Sequence, residues 1–376
     1  MEQRQTRPTA LCLGAHADYL CRHAGACCSA GWAIPVEPDV SSLLVVHFGP
    51  RLGQERILVS EEASHGRLPD GAAAVLGVQA SGACVFFESD RGNLCAIHRE
   101  LGVESLPMAC RQFPRVVLED PRGTLISLSH FCPTAAALLH ASPLTTAFKI
   151  VEAPSSLTLA GHAEGLDARD VLPPLLRPGM LTDHDGYDTW ERRAIGVLAR
   201  DDLTAPRALD IIRMATLAVQ AWRPGPTSLR ATVNREFDIA STRKPDKDLD
   251  GHAQDATNEL DVARVQLAVD SVPPGLPRPS VFKGSVGFMP GEFDGVVRAY
   301  LAARLFGNWV AYHGQGLHAI VEYLQVALAV VKMEAFRQHA SAAPSSLWQN
   351  VTEALRNADL LLVHLADAKS LSRRLG

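Results

Sequence analysis

The positions of the cysteines constrain this chain more than any other feature of its sequence. All eight lie within the first 132 of its 376 residues, and none occurs later. An even scatter would produce this distribution on the order of once in several thousand chains. The clustering therefore predicts two domains, a cysteine-bearing one over residues 1–145 and a different one over residues 146–376.

Charge and hydropathy exclude several classes of protein. The formal net charge of −5 argues against a non-specific nucleic-acid binder. The opening stretch MEQRQTRPTALCLG lacks the apolar core of a secretory signal, and the longest apolar run, LQVALAVV, is far too short to span a membrane. We therefore expect a cytoplasmic protein with no membrane or nucleic-acid partner, in which the cysteines stay reduced and form no disulfides.

The N-terminal part is typical of short strands and tight turns. The runs LLVVHF (Leu43–Phe48) and RILVS (Arg56–Ser60) are rich in strand-forming residues. A hairpin is expected in CVFFESDRGNLCAIH, and a second in RVVLEDPRGTLISLS with DPRG as its turn. The two hairpins would bring four thiols to or near strand ends, where metal ligands could converge: Cys84, Cys95, Cys110 and Cys132.

The pattern becomes helical from about residue 200. Apolar residues recur at spacings of three and four in APRALDIIRMATLAVQAW, with Thr204 as a candidate N-cap, and in two later segments around residues 317–331 and 348–365. Residues 241–259 and 271–280 are expected to be exposed loops. The fold class is therefore α+β, a small Cys-rich, hairpin-containing metal-binding N-terminal domain followed by a mainly α-helical C-terminal domain.

Clustered thiols indicate a soft metal, because thiolate binds zinc or iron–sulfur clusters and each centre usually takes four ligands. Six or seven clustered thiols could serve one iron–sulfur cluster with spares, two metal centres, or one centre plus a reactive thiol. The adjacent Cys27 and Cys28 would diverge in an extended segment, so that both seldom bind one ion. Four carboxylates near the cluster are candidate bases: Glu37, Glu88, Glu100 and Glu104.

Three stretches carry a resemblance to a known family: CRHAGACC, CVFFESDRGNLCAIHRELG and ACRQFPR. They resemble the cysteine-cluster proteins described as zinc- or iron-chelating, whose signature opens CxxCxxCC. Within that group the chain is most similar to the flagellin lysine-N-methylase branch, through ACCSAGW, IHRELGVESLPMACRQFPR and HFCPTAAALL. The likeness covers roughly residues 18–140 and is faint in VVRAYLAARLFGNWVAYHG.

The resemblance implies a ligand set and one departure from it. The implied metal ligands are Cys21, Cys27, Cys28, Cys84, Cys95, Cys110 and Cys132. Ala24 stands where the signature has its second cysteine, and the neighbouring His23 is a candidate substitute ligand. Arg111, beside Arg115 in CRQFPR, is a candidate donor to cluster sulfurs or to an anionic cofactor. Cys12 lies outside the pattern.

By resemblance, the function is methyl transfer from S-adenosylmethionine to lysine amines of a protein such as flagellin. The expected cofactor is an iron–sulfur cluster, of the 4Fe–4S type, or zinc. Support from the residues themselves is thin, since the chain has no Gly-rich nucleotide loop and no CxxxCxxC triad. The alternative is a protein without catalysis, a zinc- or iron-chelating carrier or sensor, or a domain that a metal holds together.

Overall fold

The computed structural model describes residues 10–59, 72–158, 165–243, 253–276, 278–281, 291–340 and 346–376. These residues form a mixed α+β structure with a mainly helical C-terminal region, which confirms the predicted fold class at that level. The boundary near residue 145 stays a prediction. The largest sheet takes strands from both sides of it.

The strands are short, which is typical of a chain that relies on turns. In the described residues they are β1 (Ala10–Leu13), β2 (Pro35–Val36), β3 (Leu58–Val59), β4 (Ala74–Leu76), β5 (Phe87–Glu88), β6 (Leu94–Cys95), β7 (Arg115–Asp120), β8 (Gly123–Leu128), β9 (Ile150–Glu152), β10 (Leu166–Asp167), β11 (Leu175–Arg177) and β12 (Met180–Leu181).

The α-helices lengthen towards the C-terminus. They are α1 (Ala26–Ser29), α2 (Pro38–Leu52), α3 (Gln54–Ile57), α4 (Ala96–Leu101), α5 (Met108–Gln112), α6 (Pro133–Ala141), α7 (Leu144–Ala147), α8 (His184–Leu198), α9 (Ala205–Gln220), α10 (Leu229–Thr242), α11 (Ala253–Asp270), α12 (Asp294–Leu305), α13 (Leu317–Ala340), α14 (Leu347–Asp359) and α15 (Ala368–Leu375). None of the described helices combines the length and apolar character needed to span a bilayer.

The predicted DPRG hairpin is confirmed as β7 and β8, the antiparallel centre of a five-stranded sheet ordered β10-β7-β8-β1-β9. Asp120 faces Gly123 beside the turn, and Arg115 faces Leu128 at the open end. β1 runs parallel to β8. The open end of the hairpin therefore brings α5, which precedes β7, next to the segment that follows β8.

The hairpin predicted around SDRGN is also confirmed, although each strand has only two residues. Phe87 pairs with Cys95, and Glu88 pairs with Leu94. A 3-10 turn over Ser89–Arg91 connects them. Because the pairing ends at Cys95, this thiol stands where the chain turns into α4.

The strand predicted for LLVVHF is wrong, since these residues lie inside α2. Val40, Leu44 and Phe48 repeat every four residues and are all buried, whereas Val46 is 76% exposed. Packing of that one helical face outweighs the strand preference of the two adjacent valines in LLVVHF. The RILVS strand is reduced to β3, because α3 takes the residues before it.

The three predicted helices are confirmed as α9, α13 and α14. The Thr204 hydroxyl accepts from the backbone N–H of Arg207 at the start of α9, and Ser346 forms a capping box with Gln349 on α14. The loop predicted over residues 241–259 is wrong at both its ends, because α10 extends into it and α11 begins at residue 253. Residues 244–252 lie outside the described residues.

The main apolar core lies between the five-stranded sheet and the helices from α8 onwards. Its centre is α13, which is buried on most of its surface. After α14 the chain continues as a π-helix over Leu360–Leu365. That segment carries His364 towards the N-terminal region, where the ring lies against Trp32 with centroids 4.5 Å apart.

Candidate metal centre

The vicinal cysteines lie in one helical turn, α1, beside a tight loop. Gly25 precedes the turn with φ +74°, and a Cβ there would lie 2.8 Å from the ring of Phe87. The backbone N–H of Cys28 donates to the Gly25 carbonyl at 3.0 Å. The Sγ atoms of Cys27 and Cys28 are 3.8 Å apart. A helical turn therefore keeps together two sulfurs that an extended segment would separate.

Cys28 forms hydrogen bonds with two neighbouring sulfurs, those of Cys27 and Cys95. Hydrogen bonds with Cys27 and Cys95 raise the pKa of Cys28, and the same bonds lower the pKa of Cys27 and bring the pKa of Cys95 to about 7. Backbone N–H groups in the first turn of α4 also stabilise the Cys95 thiolate. Cys27 and Cys95 therefore lose their protons more readily than an ordinary cysteine, and thiolate is the form that binds metals.

Cys84 is buried in an apolar cluster against which the half-buried Cys28, Cys95 and Cys110 pack. Burial raises the pKa of Cys84 to about 12 and that of Cys110 well above its ordinary value. The backbone N–H of Cys84 donates to the Cys28 carbonyl at 2.7 Å. Both thiols are neutral without a cation. A bound metal would reverse this, because coordination deprotonates the sulfur.

A single cavity of about 250 Å³ brings most of the predicted ligands together. Six of the seven line it: Cys21, Cys27, Cys28, Cys95, Cys110 and Cys132. They come from loops or short elements that are far apart in the sequence. The seventh, Cys84, does not line the cavity. The backbone hydrogen bond described above connects it to Cys28.

Cys21 and Cys132 form a second group that lines the same cavity. Cys132 caps α6 and belongs to a different apolar cluster, and its Sγ lies 3.8 Å from the Tyr19 hydroxyl. Burial raises the pKa of Cys132, and the neighbouring Cys21 adds to this. Cys21 itself is exposed. The seven predicted ligands thus divide into an inner group of five and a rim pair.

Cys12, which lies outside the family pattern, also lies outside the cavity. It is fully buried on β1, opposite Ile126 of β8. Burial raises its pKa to about 11. This thiol behaves as a small apolar residue of the core.

The two arginines of CRQFPR have different surroundings. Arg111 lines the cavity, and its Nε is buried without a hydrogen-bond partner among the described residues, while Nη1 lies 3.5 Å from Glu104. Arg115 instead donates to the carbonyls of Leu157 at 2.6 Å and Ser156 at 2.7 Å. Arg111 therefore retains a donor for a ligand, whereas Arg115 connects segments of the backbone.

The carboxylates predicted as candidate bases also differ in their hydrogen-bond partners. A hydrogen bond from Arg99 lowers the pKa of Glu88, and one from Arg51 lowers that of Glu100 to about 2. These carboxylates form surface ion pairs, with little capacity to accept protons. Glu37 accepts from the backbone N–H at the start of α5, and its other oxygen is buried with no partner among the described residues.

Sequence reasoning missed His98, which lines the same cavity. Its ring lies 5.1 Å from that of His23, measured between centroids. Burial, followed by the charge of His23, lowers the pKa of His98. The available signal was its spacing, since His98 follows Cys95 by three positions at the start of a helix.

His364 was also missed, and no local signal marks it. Its Nε2 lies 2.7 Å from the Ser129 hydroxyl, and burial lowers its pKa to about 4, so the ring is neutral at pH 7. It lines a second cavity of about 260 Å³ together with Trp32, Cys27 and Cys110. It also lines a third cavity, of about 400 Å³, that reaches the helical layer at Arg304.

The donor chemistry fits a soft metal, although the sulfurs are not arranged around a preformed ion. Across the described ranges, no three His, Cys, Asp or Glu side chains are spaced as ligands of one bound ion. The 3.8 Å between Cys27 and Cys28 equals the separation of about 3.8 Å expected for two sulfurs on one tetrahedral ion with bonds of about 2.3 Å. A cluster, by contrast, holds each cysteine on a separate iron and suits a dispersed set of thiols.

Comparison with known protein families, with curated proteins and with solved structures finds no match for this chain.

Proposed function

We propose that this protein binds a cysteine-ligated metal centre, an iron–sulfur cluster or zinc, in the cavity between α1, α4 and α5. The inner ligands are Cys27, Cys28, Cys84, Cys95 and Cys110, with Cys21 and Cys132 at the rim. One observation carries the proposal, the convergence on one cavity of cysteines from separate segments. The proposal requires a compartment in which thiols stay reduced, such as the cytoplasm.

Arg111 fits this proposal as a residue that stabilises the centre. Several thiolates around one metal carry net negative charge, which burial disfavours. The buried Nε of Arg111 is a charge-assisted donor at the cavity wall. We expect it to donate to a sulfur or to an anionic ligand. A bound zinc ion would supply Lewis acidity, and a cluster would supply electron transfer.

We further propose that the centre belongs to a methyltransferase acting on protein lysines, with S-adenosylmethionine as donor, as the resemblance implies. The sulfonium carbon–sulfur bond breaks as a carbon–nitrogen bond forms to a neutral amine, and the amine releases a proton. The cavities that share walls with the thiol cavity support this, because they offer space for a donor and a side chain. The neutral ring of His364 faces two of them.

A non-catalytic role, as carrier, sensor or structural metal site, has its own supporting observation. Among the described residues, the inner thiols lie in a region whose strands have two or three residues and whose apolar cluster contains twelve buried residues. So small a core gives limited stability, and a metal would add folding free energy. A protein of this kind would bind metal and show no methyl transfer.

Metal analysis of anaerobically purified protein tests the shared part of both proposals. We expect bound iron with acid-labile sulfide and absorbance at about 400 nm, or else stoichiometric zinc. Protein that is fully folded and carries neither metal, even after reconstitution, would overturn the metal centre. Zinc alone would exclude the cluster.

Methyl transfer is tested separately with labelled S-adenosylmethionine and a lysate of the host. Label on lysine residues of a protein, lost in Cys95→Ser and kept in Cys12→Ala, would support the enzyme. Calorimetry without S-adenosylmethionine binding, together with no labelled protein, would leave the carrier, sensor or structural role.

A further inference from the structure

The two thiols of the helical turn α1 lie beside the thiol at the end of the β5–β6 hairpin. The Sγ atoms of Cys27 and Cys28 are 3.8 Å apart, and Cys28 also forms a hydrogen bond with Cys95. All three are free thiols, are half-buried and line the cavity of about 250 Å³, whose wall includes the exposed Cys21. A small solute that enters the cavity therefore meets three neighbouring thiols.

Contacts that involve no sulfur fix the position of Cys28 relative to Cys95. The Cys28 carbonyl accepts from the backbone N–H of Cys84 at 2.7 Å. A Cβ on Gly25 would lie 2.8 Å from the ring of Phe87, and Phe87 is the residue that pairs with Cys95 across the hairpin. The fold itself therefore holds α1 against the β5–β6 hairpin and keeps the two sulfurs close to each other.

Of the two sulfurs beside Cys28, that of Cys95 is the better partner for a covalent bond. The Cα atoms of disulfide-bonded cysteines are usually about 4.4–6.8 Å apart, whereas consecutive Cα atoms are only about 3.8 Å apart. A bond between the adjacent Cys27 and Cys28 would therefore distort α1. Cys95 belongs to a different segment, at the end of β6, and is not subject to this limit.

We propose that Cys28 and Cys95 form a reversible disulfide when a hydroperoxide enters the cavity of the metal-free protein. One sulfur attacks an oxygen of hydrogen peroxide, the O–O bond breaks, and the leaving hydroxide takes the thiol proton, which gives a sulfenic acid and water. The second thiol then attacks the sulfenic sulfur, so that the S–S bond forms and another water leaves. The two thiols lose two electrons in total, and these reduce the peroxide to water.

This disulfide makes metal binding sensitive to oxidation. Cys28 and Cys95 are two of the five inner ligands of the proposed centre, and a disulfide leaves neither sulfur as the thiolate that a metal requires. Oxidation should therefore prevent metal binding, and reduction should restore it. The effect on the metal rests on the proposed function, whereas the formation of the disulfide does not.

Peptide mapping of the full-length protein, purified anaerobically and freed of metal by a chelator, tests the disulfide. After treatment with hydrogen peroxide and alkylation of the remaining thiols, trypsin releases Cys28 within residues 23–51 and Cys95 within residues 92–99. We expect a link between these two peptides, the loss of two free thiols per chain, and full reversal by a phosphine reductant. Cys28→Ser should lose the link. Cys27→Ser, the matched control in the same peptide, should keep it.

The map of the wild-type protein decides the proposal even if a variant fails to fold. A link between other cysteines, or eight free thiols after treatment, would overturn it. Zinc titration then tests the effect on the metal, and we expect the oxidised protein to bind zinc at least tenfold more weakly than the reduced protein. Equal binding by both forms would refute that effect. A reduced protein that binds no metal and still forms the link would overturn the metal centre and support the disulfide.

Discussion

His16 and His130, which follow strands β1 and β8, face each other through their Nε2 atoms, 3.1 Å apart, in a fully buried contact. The Nδ1 of His130 lies 3.0 Å from Asp359 and donates to it. In a neutral His130 the Nε2 must then accept, and His16 must donate. This leaves the Nδ1 of His16 as a buried acceptor without a partner among the described residues.

The buried contact between His16 and His130 predicts that the folded protein becomes less stable at acidic pH. Burial lowers the pKa of His16, and His130 and Arg304 add to the effect; burial also lowers the pKa of His130, against the opposing influence of Asp359. Both rings therefore bind protons more weakly when folded. Their contribution is fully present above the ordinary value of 6.5 and is lost as the pH falls below it.

Urea unfolding at several pH values between 7 and 5 measures this loss. Each additional proton bound by the unfolded state contributes a slope of about 1.4 kcal/mol per pH unit to the free energy of unfolding, so the slope steepens as the two histidines take up protons in the unfolded state first. In His16→Asn the slope of the free energy of unfolding against pH should be smaller, because this variant lacks the proton that His16 takes up on unfolding. An unchanged slope in that variant would contradict the assignment to this pair.

Asp359 should be a major determinant of stability. Burial would raise its pKa, but Arg304 and hydrogen bonds from His130 outweigh this and keep it ionised below its ordinary value. Tyr300 donates to its other oxygen at 2.8 Å. Asp359→Asn leaves the Arg304 guanidinium buried without its counter-charge, and we expect a loss of about 3–5 kcal/mol in the free energy of unfolding.

Chemical denaturation checks this value. Asp202→Asn is the control, since Asp202 pairs with Arg200 at the surface and its loss should leave the free energy of unfolding nearly unchanged. Equal stability of the two variants would show that the buried network contributes no more than a surface pair.

The sequence predicts best what local chemistry determines. The hairpin of β7 and β8 follows from DPRG between alternating residues. The set of cysteine ligands came from the family resemblance and stays a prediction. The sequence fails at α2, where the buried stripe of Val40, Leu44 and Phe48 outweighs local strand preference. It could not indicate His364, because a contact with Trp32 across more than 300 residues is set by packing alone.

The inner cysteines should be required both for metal binding and for the stability of the fold. Cys84→Ser, Cys95→Ser and Cys110→Ser each remove a ligand, so we expect lower metal content and lower solubility. Metal analysis and the soluble fraction after expression measure both. Cys12→Ala should keep the metal at the wild-type level, because this thiol lies on β1 away from the cavity. Full metal retention by all three serine variants would refute the ligand assignment.

Substitution of Arg111 should weaken metal retention, whereas substitution of Arg115 should lower the stability of the fold. Arg111→Gln removes a donor that lacks a protein partner at Nε, so we expect faster metal loss to a chelator with a nearly unchanged free energy of unfolding. Arg115→Gln breaks hydrogen bonds to the carbonyls of Leu157 and Ser156 and should cost about 1–3 kcal/mol of stability. Chelator kinetics and urea unfolding on both variants measure the difference, which would vanish if Arg111 were an ordinary surface residue.

Gly25→Ala should disrupt the turn that carries the vicinal cysteines. The left-handed φ of +74° costs an alanine about 1 kcal/mol, and its Cβ would also meet the ring of Phe87 at 2.8 Å. We therefore expect lost metal in addition to lost stability, measured by metal analysis and thermal unfolding. Gly179→Ala has a similar φ of +77° with nothing within 4 Å, so it should carry only the conformational cost and keep its metal. Equal metal content in the two variants would show that the close approach of Gly25 to Phe87 does not position Cys27 and Cys28.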